Sequence, residues 1–320
     1  VTAAGLLKVK TLRAALLIVL TSCLAAAAGA APELKMDLPD WSRTPVADHD
    51  LGHGVHMLES FGGNIGVLAG QDGVLLVDAE WPQLNAKVRA AVAHISPKPI
   101  RYVINTHWHW DHTGGDAEFA RRGALVIASQ ETRDYILAAQ RAGGEQGQYL
   151  PDPAGVPSLA VDAGTQRLYL GGQTIEITHA PAAHTGGDLV VRFVEADVLQ
   201  TGDTFFHGFY PDIDFEHGGT IDGMIGFYDT LYRMCGPKTK VIPGHGAIAT
   251  REDIRTYQAM LREVRNRVAR AIGQGMSEQQ LIAAHPLDDL DKVWGGNLVK
   301  QPYLLAIVYE DLRSRSARQR

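Results

Sequence analysis

From residue 54 the chain sets short apolar runs between turn residues, and the period of those runs predicts the elements. "GVHMLES" (54–60), "NIGVLAG" (64–70) and "GVLLVDAE" (73–80) are β-rich and punctuated by Gly and Asn, which predicts a meander of antiparallel strands. The period then lengthens. In "WPQLNAKVRAAVAHIS" (81–96), Leu84, Val88, Ala91, Val92 and Ile95 keep to one side of a 3.6-residue repeat, with Pro82 near its start, so this stretch predicts an amphipathic helix. "PIRYVINT" (99–106) is a strand, "GGDAEFARR" (114–122) a helix, "ALVIAS" (124–129) a strand and "ETRDYILAAQRA" (131–142) a further helix. Residues 143–157, rich in Gly and Pro, predict a long exposed loop that could act as a flap over a site.

The second half returns to strands: "QRLYL" (166–170), "QTIEITHA" (173–180), "DLVVRFV" (188–194) and "DVLQTGD" (197–203). A helix over Met224–Met234 follows, and then "KTKVIPGHG" (238–246). Both halves run strands, helix, then a strand with a histidine at its end. That order is compatible with two sheets packed face to face and helices outside, a four-layer α/β sandwich. Beyond it, Thr250 with Asp253 forms a capping box that opens a helix carrying Ile254, Tyr257, Leu261, Val264 and Val268 on one face. Ser277 with Gln280 repeats the device.

The N-terminus breaks this pattern. Lys8, Lys10 and Arg13 precede "AALLIVL", and "AAAAGAAP" supplies small residues for cleavage, the layout of an export signal. The apolar run is too short to span a bilayer as a mature helix. Cleavage after Ala28 or Ala30 is expected; the alternative is "LTSC" (20–23), which resembles a lipobox and would make Cys23 a lipid anchor. The chain therefore divides into a signal peptide (1–30), an extended lead-in with Pro32, Pro39 and Pro45 (31–50), a sandwich domain (51–250) and C-terminal helices packed on it (251–320). The expected location is periplasmic or secreted.

Composition narrows the function. With 320 residues, 45% hydrophobic and 21% charged, the chain is an ordinary globular protein. A net charge of −6 and the lack of a dense Lys/Arg run exclude a nucleic-acid-tracking surface. The basic "RSRSARQR" at the end reads as a solvated tail. With Cys23 and Cys235 the sole cysteines, no structural disulfide is expected. Cys235 reads as a quiet thiol at a helix end, with Gly236 as the stop.

"THWHWDHTGG" (106–115) carries the chemistry. His107 and His109 leave the end of a strand two residues apart, and Asp111 and His112 lie in the turn that follows. A core would not tolerate four such side chains unpaired, so the pattern points to a metal. Imidazole and carboxylate together suit zinc, iron or manganese. His184, Asp203 and His245 each stand just past another β-run. His179, five residues before His184, is a candidate for orienting it.

With "HWHWDH", "HTGGD", "TGD" and "GHG" in this order, the chain resembles the metallo-β-lactamase superfamily to about residue 250. The resemblance implies an αββα fold in which His107, His109 and His184 bind one metal, Asp111, His112 and His245 the other, and Asp203 bridges. It implies two Zn²⁺ ions sharing a hydroxide that opens a β-lactam, lactone, ester or amide, with Asp111 orienting the hydroxide and shuttling its proton. The substrate would be a small acyl compound. In true β-lactamases the Asp203 position is usually Cys or Ser, and some place a lysine where Phe206 stands; the aspartate is similar to glyoxalase II and lactonase relatives. Phe206, His207 and Tyr210 are candidates to face substrate. Two rival readings keep the same ligands: an iron-dependent sulfur dioxygenase-type oxidoreductase, and a non-catalytic metal-binding lipoprotein.

Overall fold

The computed structural model describes residues 36–142, 151–161, 163–296 and 298–318, so the signal segment, Cys23 and residues 143–150 lie outside the described residues. The first sheet has seven strands in sequence order: β1 (Ala47–Gly52), β2 (Val55–Glu59), β3 (Ile65–Gly70), β4 (Gly73–Val77), β5 (Ile100–Ile104), β6 (Leu125–Ser129) and β7 (Leu159–Val161). Strands β1 to β4 pair antiparallel, as the Gly- and Asn-punctuated runs predict, and β4 to β7 pair parallel. The second sheet holds β8 (Thr165–Leu170), β9 (Gln173–Ala180), β10 (Asp188–Phe193), β11 (Val198–Gln200) and β12 (Lys240–Ile242), with β11 and β12 parallel.

Strand β4 shows why its sequence is apolar without alternation. Leu75 and Val77 face the second sheet, in a core shared with Ile175, Ile177, Leu189 and Val191. Val74 and Leu76 face outward, onto Leu84 and onto Val88 and Val92 of helix α1 (Asn85–Ile95). A strand covered on both faces needs apolar residues at every position. The second sheet repeats the arrangement: Val190, Leu199 and Val241 pack under α5 (Ile221–Met234), α6 (Arg251–Gly273) and α9 (Gln301–Arg318). The product is the four-layer αββα sandwich expected, with added C-terminal helices; α7 (Glu278–Ala283) and α8 (Asp288–Trp294) complete these. Both capping boxes are formed.

Four details differ from expectation. The first sheet begins inside the expected lead-in (31–50), because β1 starts at Ala47 and pairs with β2. Helix α5 starts at Ile221, where the Thr220 hydroxyl accepts the Gly223 N–H as an N-cap. It ends at Met234, and Cys235 has already turned extended, so the stop falls before Gly236; the buried thiol is pushed up to about 11, which keeps it inert. The basic end is not a free tail: α9 runs to Arg318, and Arg315 pairs with Asp222 at 2.9 Å and Asp311 at 3.3 Å. The charges on "RSRS" lie within a helix, where sequence composition reads as solvation. No helix among the described residues is long and apolar enough to cross a membrane.

Leu75, 0% exposed between the sheets, reports on this packing. Leu75→Ala should cost about 2–5 kcal/mol through lost burial and the cavity left behind, measured by urea unfolding; a loss under 0.5 kcal/mol would contradict a close-packed inter-sheet core.

Candidate metal centre

Parallel neighbours bring their C-terminal ends together, and the site is built there. Asp78 follows β4, His107 follows β5, Asp203 follows β11 and His245 follows β12. His184 comes from the turn between β9 and β10. His109 stands at the N-cap of the one-turn helix α2 (Trp110–Thr113), which carries Asp111 and His112. The chain comes so close here that two positions take no side chain. A Cβ on Gly63 would sit 2.2 Å from the His112 ring, and one on Gly244 would sit 2.0 Å from the Asp203 carboxylate.

All seven predicted ligands meet. His107, His109, His184 and Asp203 form one group able to hold a metal ion, and Asp111, His112 and His245 form the other. Asp203 touches both: Oδ2 lies 3.8 Å from His107 Nε2 and 3.7 Å from His184 Nε2, and Oδ1 lies 3.2 Å from His112 Nε2. His245 Nε2 is 3.4 Å from Asp203 Oδ2 and 3.3 Å from Asp111 Oδ2. Such spacings are close to the edge of a tetrahedron around a cation, about 3.4 Å for bonds of 2.0–2.1 Å.

Outer partners turn three of the imidazoles inward. Asp78 accepts the His112 Nδ1–H at 2.9 Å and is itself held by the Thr106 N–H and hydroxyl. The Asp212 carbonyl accepts His184 Nδ1–H at 2.9 Å. Asp214 accepts His109 Nε2–H at 3.1 Å, leaving Nδ1 as the inward atom. The same carboxylate takes Trp108 Nε1–H and His217 Nδ1–H, and although burial opposes its charge these donors hold it well below the usual carboxylate range. Polarised in this way, an imidazole keeps one tautomer and a stronger lone pair.

The residues present fit a pair of cations. His107 Nε2 is buried with no hydrogen-bond partner and aims into the first group. An orphaned imidazole nitrogen is costly unless a cation accepts its lone pair. Burial opposes charge throughout, yet the histidines Asp203 faces keep it well below its ordinary range, and Asp111 is held down to about 2 by His112 and His245. These carboxylates in turn overcome burial at His112, raised well above the ordinary value, and at His245, raised to about 10. Mixed nitrogen and oxygen donors in this number make a binuclear metal-binding site.

The substrate candidates divide. Phe206 lines the cavity above the site and stacks flat on His245, centroids 5.6 Å apart. His207 does not face it: Nδ1 donates to the Ala247 carbonyl and the ring turns towards Asp253. Tyr210 is 0% exposed, inside the helical core, with its N–H on the Trp294 carbonyl, and cannot reach a substrate. An aromatic next to a site motif does not reveal which way it points. His179 donates to the Gly186 carbonyl, away from the ligands. Residues 151–157 add nothing to the cavity wall; Gly155 backs onto helix α3 (Asp116–Arg121). Sequence reasoning missed Asp78 and Asp214. Asp78 had a signal, since it ends an apolar strand just as Asp203 does; Asp214, 105 residues from His109, had none.

The carboxylates that face His112 and His245 favour their protonated forms, and both must be neutral to ligate, so loading zinc at pH 7.5 should release protons. Titration calorimetry in buffers of different ionisation enthalpy reads this directly, and a buffer-independent heat would contradict it.

The chain is similar to several known proteins. It is 28% identical over 144 residues to the alpha subunit of 2,4-dinitroanisole O-demethylase from Nocardioides sp. (strain JS1661), which covers 44% of this chain and 40% of that one. It is 31% identical over 209 residues to the hydroxyacylglutathione hydrolase of Anaeromyxobacter dehalogenans (strain 2CP-C), 62% of this chain and 70% of that one. The chain thus spans less than half the length of the first relative and most of the second. Among solved structures, the sec-alkylsulfatase Pisa1 from Pseudomonas sp. shares the fold with a TM-score of 0.65 at 18% identity, over 83% of this chain and 50% of that one. The metallo-beta-lactamase from Pontibacter korlensis shares it with a TM-score of 0.56 at 17% identity, over 68% of this chain and 99% of that one. A family model described as the metallo-beta-lactamase superfamily matches residues 58–257, and the chain belongs to that superfamily.

Proposed function

We propose that the protein is an exported zinc-dependent hydrolase that opens an acyl bond, as in an ester, lactone, amide or β-lactam. The observation that carries this is Asp203, one buried carboxylate whose two oxygens face both ligand groups. Among the roles of bound zinc, the one that suits this site is Lewis acidity, which lowers the pKa of water from about 15.7 to about 7 and polarises an acyl carbonyl.

The chain's own residues do the rest. His107, His109, His184 and Asp203 would hold one cation, and Asp111, His112 and His245 the other, with the Asp203 carboxylate facing both groups. Asp111 lines the cavity, so its carboxylate is both ligand and proton acceptor. Kept ionised by His112 and His245, it can accept a hydrogen bond from a water molecule beside it, orient that water, and pass a proton on to the leaving group. Phe206, flat on His245, and Trp81 give the cavity apolar walls beside the ligands. The hydroxyacylglutathione hydrolase relative, a hydrolase by name, supports this class of chemistry.

The zinc-loaded protein should hydrolyse activated esters or lactones, or nitrocefin, in a panel of initial-rate assays. Absence of turnover across the panel, with iron bound instead, would favour the oxidoreductase reading. Asp111→Asn should lower kcat by about 10²–10⁴-fold with an unchanged circular dichroism spectrum. Full activity in that variant would remove Asp111 from the mechanism.

A further inference from the structure

The cavity above the two ligand groups has a volume of about 800 Å³, room for a small-molecule substrate. Its lining carries two kinds of chemistry. The first is a set of aromatic rings. Trp110 lies 5.4 Å from Trp81 at a tilt of 32°, and Phe61 lies 6.5 Å from Trp81. Trp110, between two ligands in "HWHWDH", therefore joins Trp81 and Phe61 in an aromatic wall of the cavity.

The second is one cation. Lys300, just before helix α9, is the sole lysine or arginine among the described lining residues. It is exposed, its Nζ donates to the Gly295 carbonyl at 2.9 Å, and no ion pair among the described residues includes it. An ammonium has three donors, so two remain for a ligand. Of the five acidic lining residues, Asp111 and Asp203 belong to the metal-ligand groups, Glu59 pairs with His49 at 2.9 Å, and Asp212 accepts the Tyr303 hydroxyl at 2.9 Å. Asp37 is exposed. Phe206 gives no positive charge beside the metal ligands.

We propose that the substrate is an anionic acyl compound, with a planar apolar body against Trp81 and Trp110 and a carboxylate, remote from the scissile bond, paired with Lys300. This rests on the hydrolase reading and adds a substrate class to it. The helical C-terminal segment, rather than the metal loops, then sets charge selectivity.

Three 4-nitrophenyl esters of phenylacetic acid test the proposal. They differ only in a para substituent: carboxymethyl, carbamoylmethyl or aminomethyl. The anionic ester should exceed the neutral one in kcat/KM by about 10-fold, the contribution of one charge-assisted hydrogen bond, and mainly through KM. K300Q should reduce that ratio towards one, and K300E should invert it. Equal rates for the anionic and neutral esters, an unchanged ratio in K300Q, or preference for the cationic ester at the Asp37 rim would overturn it. The matching N-methylamides, read by quenching of tryptophan fluorescence, separate the two claims. Charge-selective binding of the amides without turnover of any ester would end the hydrolase reading and leave the Lys300 subsite standing. Turnover without charge selectivity would end the subsite alone.

Discussion

The charge of Asp203 is the constraint on which the centre depends. Burial opposes ionisation of this carboxylate, and His245, His112 and His107 overcome it. Those histidines are kept in place by partners further out. Asp78 fixes His112, Thr106 meets His107, and Asp214 and the Asp212 carbonyl fix His109 and His184. An isolated carboxylate at this depth would give up its charge. Held among inward-facing imidazole nitrogens, it becomes the shared edge of two cation sites.

The fold supplies the precision this requires. Parallel pairing of β4 with β5 and of β11 with β12 places the strand ends that carry Asp78, His107, Asp203 and His245 side by side. Each strand is locked from both faces by apolar packing, so the loops are short extensions of rigid elements. Some local strain lies at the same edge. Asp78 and Glu80 both adopt positive φ, 67° and 60°, a conformation that costs non-glycine residues energy and persists where the surroundings over-determine it. Glu80 pins this turn by accepting the Gly62 and Trp81 N–H groups, while burial pushes its carboxyl up to about 7.

Much of this was legible in the sequence because the features are local. Strand runs such as "GVLLV" and "QTIEITHA", the two capping boxes, and the motifs "HWHWDH", "HTGGD" and "GHG" all declare themselves within ten residues. What escaped was long-range. The hydrogen bond from His109 to Asp214 closes over 105 residues and the Asp222–Arg315 pair over 93, with no periodicity to mark them. The direction of a side chain in an irregular loop is also invisible to pattern. Phe206 and Tyr210 stand four residues apart in "FFHGFYP", yet one lines the cavity and the other is buried under helices. Lys300 also lies well past the last motif, and only folding brings it to the same cavity.

The most direct test is the metal content of wild type and Asp203→Ala after exhaustive dialysis against zinc-buffered solution, read by mass spectrometry of the metal. The account predicts about two divalent ions per wild-type chain, as a binuclear site requires, and loss of both together in the variant. One ion in the wild type, or two retained without the Asp203 carboxylate, would contradict the claim that this residue joins two metal sites into one centre.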